Sequence, residues 1–290
     1  MFNKQYRRSI VILSTILVFL TGCNASTPLI DPKTDSSSES PTIIPFTLTP
    51  DVSPTPIQLP TGPGVEWDLV VIGDSSLWKL ADAFAAQIEK DVGVKVIVHD
   101  ITPGGLSAGK VLRSLQVGDT LTNLPDRIKD AEVVVMFVNP LESIDPENPL
   151  GLEACFYYTA PESCGMESFG KYIDDLKAIW EEIFILRAGQ PTIVRATDIY
   201  NPLVANWQKT GVFEACNECW LNMSKAAQAA AEAYNIPFLS RFEALNGPDY
   251  LGNLKEKGYL SSDGEHPSDL MGQYTAELLA EIGYDPVIPP

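Results

Sequence analysis

Histidine is scarce: the 290 residues hold two, His99 and His266. Chemistry that needs an imidazole base must therefore use one of these positions. Positive charge is short as well, with 20 Lys and Arg against 38 Asp and Glu and a net charge of −18. That acid excess excludes a nucleic-acid partner and polybasic docking to an anionic membrane. Long apolar runs are missing beyond the first twenty residues, so no second membrane-spanning candidate exists. No internal repeat appears, which excludes a solenoid or a propeller.

What is present begins with a leader. Lys4, Arg7 and Arg8 precede an apolar run from Ile10 to Leu20, interrupted by Ser14 and Thr15. At roughly eleven residues the run suits a signal h-region and is too short to span a bilayer. It ends Leu20-Thr21-Gly22-Cys23, which resembles a bacterial lipobox. Residues 1–22 then read as a cleaved signal and Cys23 as the lipidated residue. Two acyl chains there would anchor stably where one does not. An ordinary signal peptide with a chance cysteine is the alternative. Residues 23–64 are dominated by Pro, Ser and Thr. Such a segment buries too little apolar surface to offset its ordering entropy, and it reads as a disordered stalk. Residues 65–290 remain as one domain, long enough for a single well-buried core. The expected location is extracytoplasmic, attached to the membrane through Cys23.

Four cysteines lie in that domain: Cys155, Cys164, Cys216 and Cys219. Outside the cytoplasm an even count points to disulfides. Sequence proximity favours Cys155–Cys164 and Cys216–Cys219, each closing a small loop. A four-thiolate zinc site is the competitor, but Cys155 and Cys164 are too widely spaced for its other half.

The hydrophobic pattern alternates strands and helices. Strands are expected over 67–72, 94–98, 132–138, 192–196 and 236–239. Helices are expected over 75–90, 106–116, 167–187, 222–234 and 268–282, with a helical turn at 126–129. That alternation specifies a parallel sheet covered on both faces, with its working residues beyond the carboxyl ends of the strands. Ser75 follows the first strand, Asn139 the third and His266 the fifth, so all three fall on one edge.

Two strings on that edge carry chemistry. Gly73-Asp74-Ser75-Ser76 puts a hydroxyl where a buried strand meets a helix, and Asp263-Gly264-Glu265-His266-Pro267 puts a carboxylate three residues before an imidazole. Together they supply the nucleophile Ser75, the base His266 and the orienting acid Asp263 of a serine hydrolase. The bland alternative makes Asp74 or Ser75 a helix cap and Asp263 the cap of the last helix. Pro267 suits the first position of that closing helix. His99, followed by Asp100, is read as a polar strand terminus, with pocket-lining or base duty as the alternative.

These residues resemble the SGNH/GDSL hydrolase family. The first block matches as Gly73-Asp74-Ser75 and the fifth as Asp263-Gly264-Glu265-His266. The glycine of block two is matched by Gly104 in Pro103-Gly104-Gly105-Leu106, with Gly105 the close alternative. The third block departs: the family's Gly-x-Asn-Asp is Phe137-Val138-Asn139-Pro140 here, with Asn139 in place and its flanking Gly and Asp absent. The resemblance covers roughly residues 67–283. It implies a flavodoxin-like three-layer α/β/α fold with a five-stranded parallel sheet. It also implies esterase or lipase-type activity without metal or cofactor. The implied oxyanion donors are the N–H groups of Ser75 and Gly104 (or Gly105) and the amide of Asn139. The resulting expectation is a monomeric serine esterase. It would take small-molecule or glycan esters, with carbohydrate O-deacetylation among the candidate reactions. A binding or envelope module on the same fold is the alternative. Two insertions, 140–166 and 198–220, carry the cysteines and several aromatics. They are expected to overhang the site.

Overall fold

The computed structural model describes residues 58–118, 123–143, 147 and 150–289. The expected leader, Cys23 and most of the expected stalk lie outside these residues. The end of the 23–64 segment does touch the domain. Leu59 packs against the core, and the Pro60 carbonyl accepts from Trp67 Nε1 at 2.9 Å.

The interior strand β1 (Glu66–Gly73) is an apolar run buried on both faces. A 3-10 turn (Ser75–Leu77) follows, then α1 (Leu80–Val92). The expected single helix over 75–90 is therefore broken. Lys79 takes a left-handed φ of 71°, so α1 begins five residues after Ser75. Next come β2 (Lys95–Ile101), α2 (Ala108–Val117), α3 (Leu124–Asp130) and β3 (Val133–Phe137). The short α4 (Leu152–Phe156) lies inside the first insertion and leads to the long α5 (Gly170–Arg187). Then follow β4 (Ile193–Thr197), α6 (Val204–Thr210), α7 (Phe213–Glu232) and β5 (Phe238–Leu239). The chain closes with α8 (Arg241–Asn246) and α9 (Asp269–Glu281). Pro267 stands two residues before the first helical position expected for it: Ser268 caps α9 by accepting from the Met271 N–H.

All strand pairs are parallel, in the order β2-β1-β3-β4-β5. Successive side chains of a strand point to opposite faces, and the core divides accordingly. Val70, Ile72, Val134 and Met136 pack with α2, α3, α5 and α7. Leu69, Val71, Val133 and Val135 pack with α1 and α9. This is the expected three-layer α/β/α sandwich. Its strand order reverses between β1 and β3, and the crevice beyond their carboxyl ends is where such sheets bind ligands.

The expected local disulfides are not formed. Cys155 pairs with Cys216, and Cys164 with Cys219, at Cα separations of 5.5 and 5.0 Å. The reason is that 213–221 is helix rather than loop. One turn apart on α7, Cys216 and Cys219 have Cβ atoms about 5–6 Å from each other. A disulfide needs about 3.5–4.5 Å. Both thiols face the segment lying across α7 and bond to it instead.

Candidate active site

The site is built where β1 and β3 end. Gly73 is required there by close approach: a Cβ would stand 2.5 Å from the Phe137 carbonyl oxygen and 2.4 Å from Leu77 Cδ1. Asp74 then caps the turn, its Oδ1 accepting from the Ser76 N–H at 2.9 Å. The capping alternative thus holds for Asp74, while Ser75 is left with its hydroxyl facing the crevice. His266 Nε2 lies 3.1 Å from Ser75 Oγ across a sequence separation of 191 residues. His266 Nδ1 lies 2.9 Å from Asp263 Oδ2. The three expected side chains are in line.

Asp263 is solvent-exposed yet strongly committed to its ionised form. It accepts from the backbone N–H groups of Glu265 and His266, from the His266 ring and from the Ser261 hydroxyl. In that order these bonds hold the carboxyl well below the usual range. The same bonds shape the 261–267 loop, so Asp263 is also the loop's internal brace.

Of the two glycines, Gly105 borders the cavity beside Ser75 and Gly104 does not. Gly105 has a φ of 68°, in the left-handed region that suits glycine, and its N–H has no acceptor among the described residues. Of the expected pair, Gly105 is therefore the one placed beside Ser75. Asn139 also borders the cavity, but both amide hydrogens are engaged, with Asp74 Oδ2 at 3.1 Å and the Leu106 carbonyl at 3.0 Å. Its Oδ1 accepts from the Leu141 N–H at 3.2 Å. The side chain ties together the loops after β1, β2 and β3. To serve an oxyanion it must exchange the Asp74 bond for the substrate.

His99 takes no part. It lies within β2 rather than at its end. Its Nε2 sits 2.5 Å from Asp68 Oδ1 on β1, and its Nδ1 faces Arg127. Among the described residues no group of three or more His, Cys, Asp or Glu side chains is placed to hold a metal ion.

Two contributors, Trp78 and Arg241, escaped the sequence reading, and a third, Tyr200, was legible only as an aromatic of the second insertion. Trp78 stacks on the His266 ring, centroids 4.6 Å apart and planes 22° from parallel, and its Nε1 donates to the Thr102 carbonyl at 2.8 Å. Its one legible signal was a position one turn after Ser75. Arg241, wholly buried, donates through Nη2 to the Ser76 carbonyl at 2.6 Å and lies 5.1 Å above the Tyr200 ring. The Tyr200 hydroxyl donates to the Glu265 carbonyl at 2.9 Å. This chain of contacts links the serine turn to the histidine loop. Asp198 lies buried beneath it, accepting from Ser224, Ser240 and the Phe242 N–H. Burial pushes the Asp198 carboxyl up and the Arg241 guanidinium down, each opposed by the other's charge. Burial likewise raises Tyr200, which keeps its hydroxyl a donor. Arg241 follows β5 at the active edge of the sheet, and that position was its one clue.

The cavity next to Ser75 measures about 150 Å³. Both insertions contribute to it, through Leu152 and Phe156 of α4 and through Pro202 and Trp220; Met223 of α7 adds to the same wall.

This three-layer α/β/α architecture, with its five-stranded parallel sheet, is shared with a solved lipase. The lipase Lip_vut3 from a goat rumen metagenome superposes with a TM-score of 0.57 at 17% identity, over 75% of this chain and 98% of that one. A lipase/acylhydrolase from Enterococcus faecalis aligns at TM-score 0.48 and 16% identity, over 77% and 98% of the two chains. An acetyl xylan esterase from Geobacillus stearothermophilus aligns at TM-score 0.48 and 12% identity, over 79% and 99%. No family model and no curated protein matches the sequence. The likeness to ester hydrolases is thus one of fold.

Proposed function

We propose that the domain is a serine ester hydrolase. The observation carrying this reading is the 3.1 Å approach of His266 Nε2 to Ser75 Oγ, with Asp263 2.9 Å behind the ring. Ser75 attacks the ester carbonyl while His266 takes its proton. The imidazolium then passes that proton to the leaving alkoxide, which departs as the alcohol. Water, deprotonated by His266, attacks the acyl-enzyme and releases the acid, and Ser75 recovers its proton. Asp263 holds the tautomer with Nδ1–H toward itself and stabilises the imidazolium. The tetrahedral oxyanion rests on the N–H groups of Ser75 and Gly105. Asn139 adds a third donor when it gives up Asp74; such a donor is worth about 3–4 kcal/mol. None of these steps draws on a metal or cofactor. Small-molecule and glycan esters are the substrate classes, and glycan O-deacetylation is one reaction within this scope. The protein acts as a monomer outside the cytoplasm, held to the membrane by lipid on Cys23.

A fluorophosphonate probe tests the chemistry. Labelling of the wild type that is lost in Ser75→Ala and in His266→Ala supports it. An unlabelled, folded wild type overturns it in favour of a binding module. Metabolic labelling with a fatty-acid analogue tests the anchor: incorporation that persists in Cys23→Ala refutes lipidation at that residue.

A further inference from the structure

The cavity beside Ser75 is bordered by Asp74, Asn139, Glu265 and His266 and otherwise lined largely by apolar side chains. Phe137 forms its floor at the end of β3, and Leu152, Phe156, Ile199, Trp220 and Met223 surround it. Trp220 and Met223 are almost fully buried, while Phe156 stands at the rim, 38% exposed. The aromatic wall is braced from behind. Phe156 meets Trp220 edge to face with centroids 5.5 Å apart, and Trp220 meets Trp207 in the same way at 5.3 Å. Trp207 Nε1 donates to the Cys155 carbonyl at 2.9 Å. The Cys155–Cys216 disulfide then fastens α4 to α7, the two helices that supply the wall. A wall stapled in this way keeps its shape when the cavity is empty, and a preformed apolar site binds without an ordering cost.

Resting on the ester hydrolase reading, we infer that this cavity is an acyl subsite for an unbranched apolar acyl group of about four to six carbons. Size sets the range. A pocket of about 150 Å³ beside Ser75 has room for a guest of about six carbons against its apolar wall. An acetyl group places one methyl in that space and leaves most of it empty, while chains beyond about eight carbons must leave over the rim at Phe156. Each methylene moved from water into the cavity raises kcat/KM about fourfold. Butyrate therefore outruns acetate about 15-fold.

The test is a chain-length series of p-nitrophenyl esters from acetate to dodecanoate, read as kcat/KM on wild type, Phe156→Ala and Met223→Phe. The wild type is expected to peak between butyrate and hexanoate. Phe156→Ala, which opens the rim, moves the peak to longer chains. Met223→Phe, which fills the cavity, lowers the butyrate-to-acetate ratio at least fivefold. Fluorophosphonate labelling of each variant establishes that the site is still assembled. Should Met223→Phe fail to fold, the more exposed Phe156 position decides the matter alone. A wild type that labels yet prefers acetate, or ratios unmoved in labelled variants, overturns the acyl subsite and leaves the hydrolase standing. Absence of both labelling and turnover brings down the two readings together.

Discussion

Replacing Tyr200 with Phe isolates the connection between the serine turn and the histidine loop. The substitution removes one hydroxyl, and with it the 2.9 Å bond to the Glu265 carbonyl. The ring remains, so its contact with Arg241 and its place in the cavity wall are retained. Glu265 is exposed, and water can satisfy its freed carbonyl. The stability cost is then that of one hydrogen bond, about 1 kcal/mol. For a domain of this size that lowers Tm by about 2–4 °C. The 261–267 loop keeps its own form, since the Asp263 bonds, the Ser261 N–H to His266 carbonyl bond and the Leu260–Pro267 bridge are untouched. What the variant loses is the tether that sets this loop over Ser75. A displacement of about 1 Å of a reacting group costs roughly 100-fold in rate. A fall in kcat of about 10- to 100-fold is therefore expected, with KM within about twofold. Steady-state kinetics on a short-chain ester, with thermal melts of both proteins, provide the measurement. A lowered Tm with kcat unchanged within about twofold would refute the positioning role and leave Tyr200 a packing residue.

Further outcomes follow from the same geometry. Asp263→Ala reduces kcat by several orders of magnitude, as removal of an orienting acid does. It also alters acid stability. The folded Asp263 carboxyl titrates below its unfolded value of about 3.9. Its stabilising contribution is complete above that pH and is lost as pH falls toward the folded value. The variant's Tm deficit should be constant from about pH 6 to 8 and shrink below about pH 4; a deficit that grows on acidification contradicts the assignment. Gly73→Ala forces a Cβ against the Phe137 carbonyl and should cost about 1–3 kcal/mol in chemical denaturation, along with most probe labelling. Removing the Cys155–Cys216 bridge, which closes a loop of 61 residues, should cost about 4 kcal/mol and flatten the chain-length profile. A sharp profile retained in the Cys155→Ser, Cys216→Ser double variant would show that the aromatic wall stands without its staple.

Much of this molecule was written locally. The strands of β1, β3 and β4 are short apolar runs, and burial on both faces of a parallel sheet leaves few other fates for such runs. Ser75 and His266 were legible because strand ends dictate which edge a following residue occupies, and because Asp263 shares a turn with its partner. The helices were less legible where amphipathic period is interrupted. Nothing in Ser75 to Lys90 announces that Lys79 turns left-handed and splits the helix. The polar and aromatic residues of 213–221 concealed the first half of α7.

Sequence alone determined the alternation of strands and helices and the sheet edge that Ser75, Asn139 and His266 share, since these depend on short local patterns and on the direction of a strand; the 3.1 Å approach of Ser75 and His266, 191 residues apart, is a tertiary contact. Tertiary structure alone decided which cysteines meet and which glycine faces the cavity. It also decided that Asn139 is bound to Asp74, that Trp78 stacks on His266, and that Tyr200 and Arg241 link the serine turn to the histidine loop. Those outcomes depend on distances between segments tens to hundreds of residues apart. Such distances are set by how helices seat on the sheet, for which no short pattern exists.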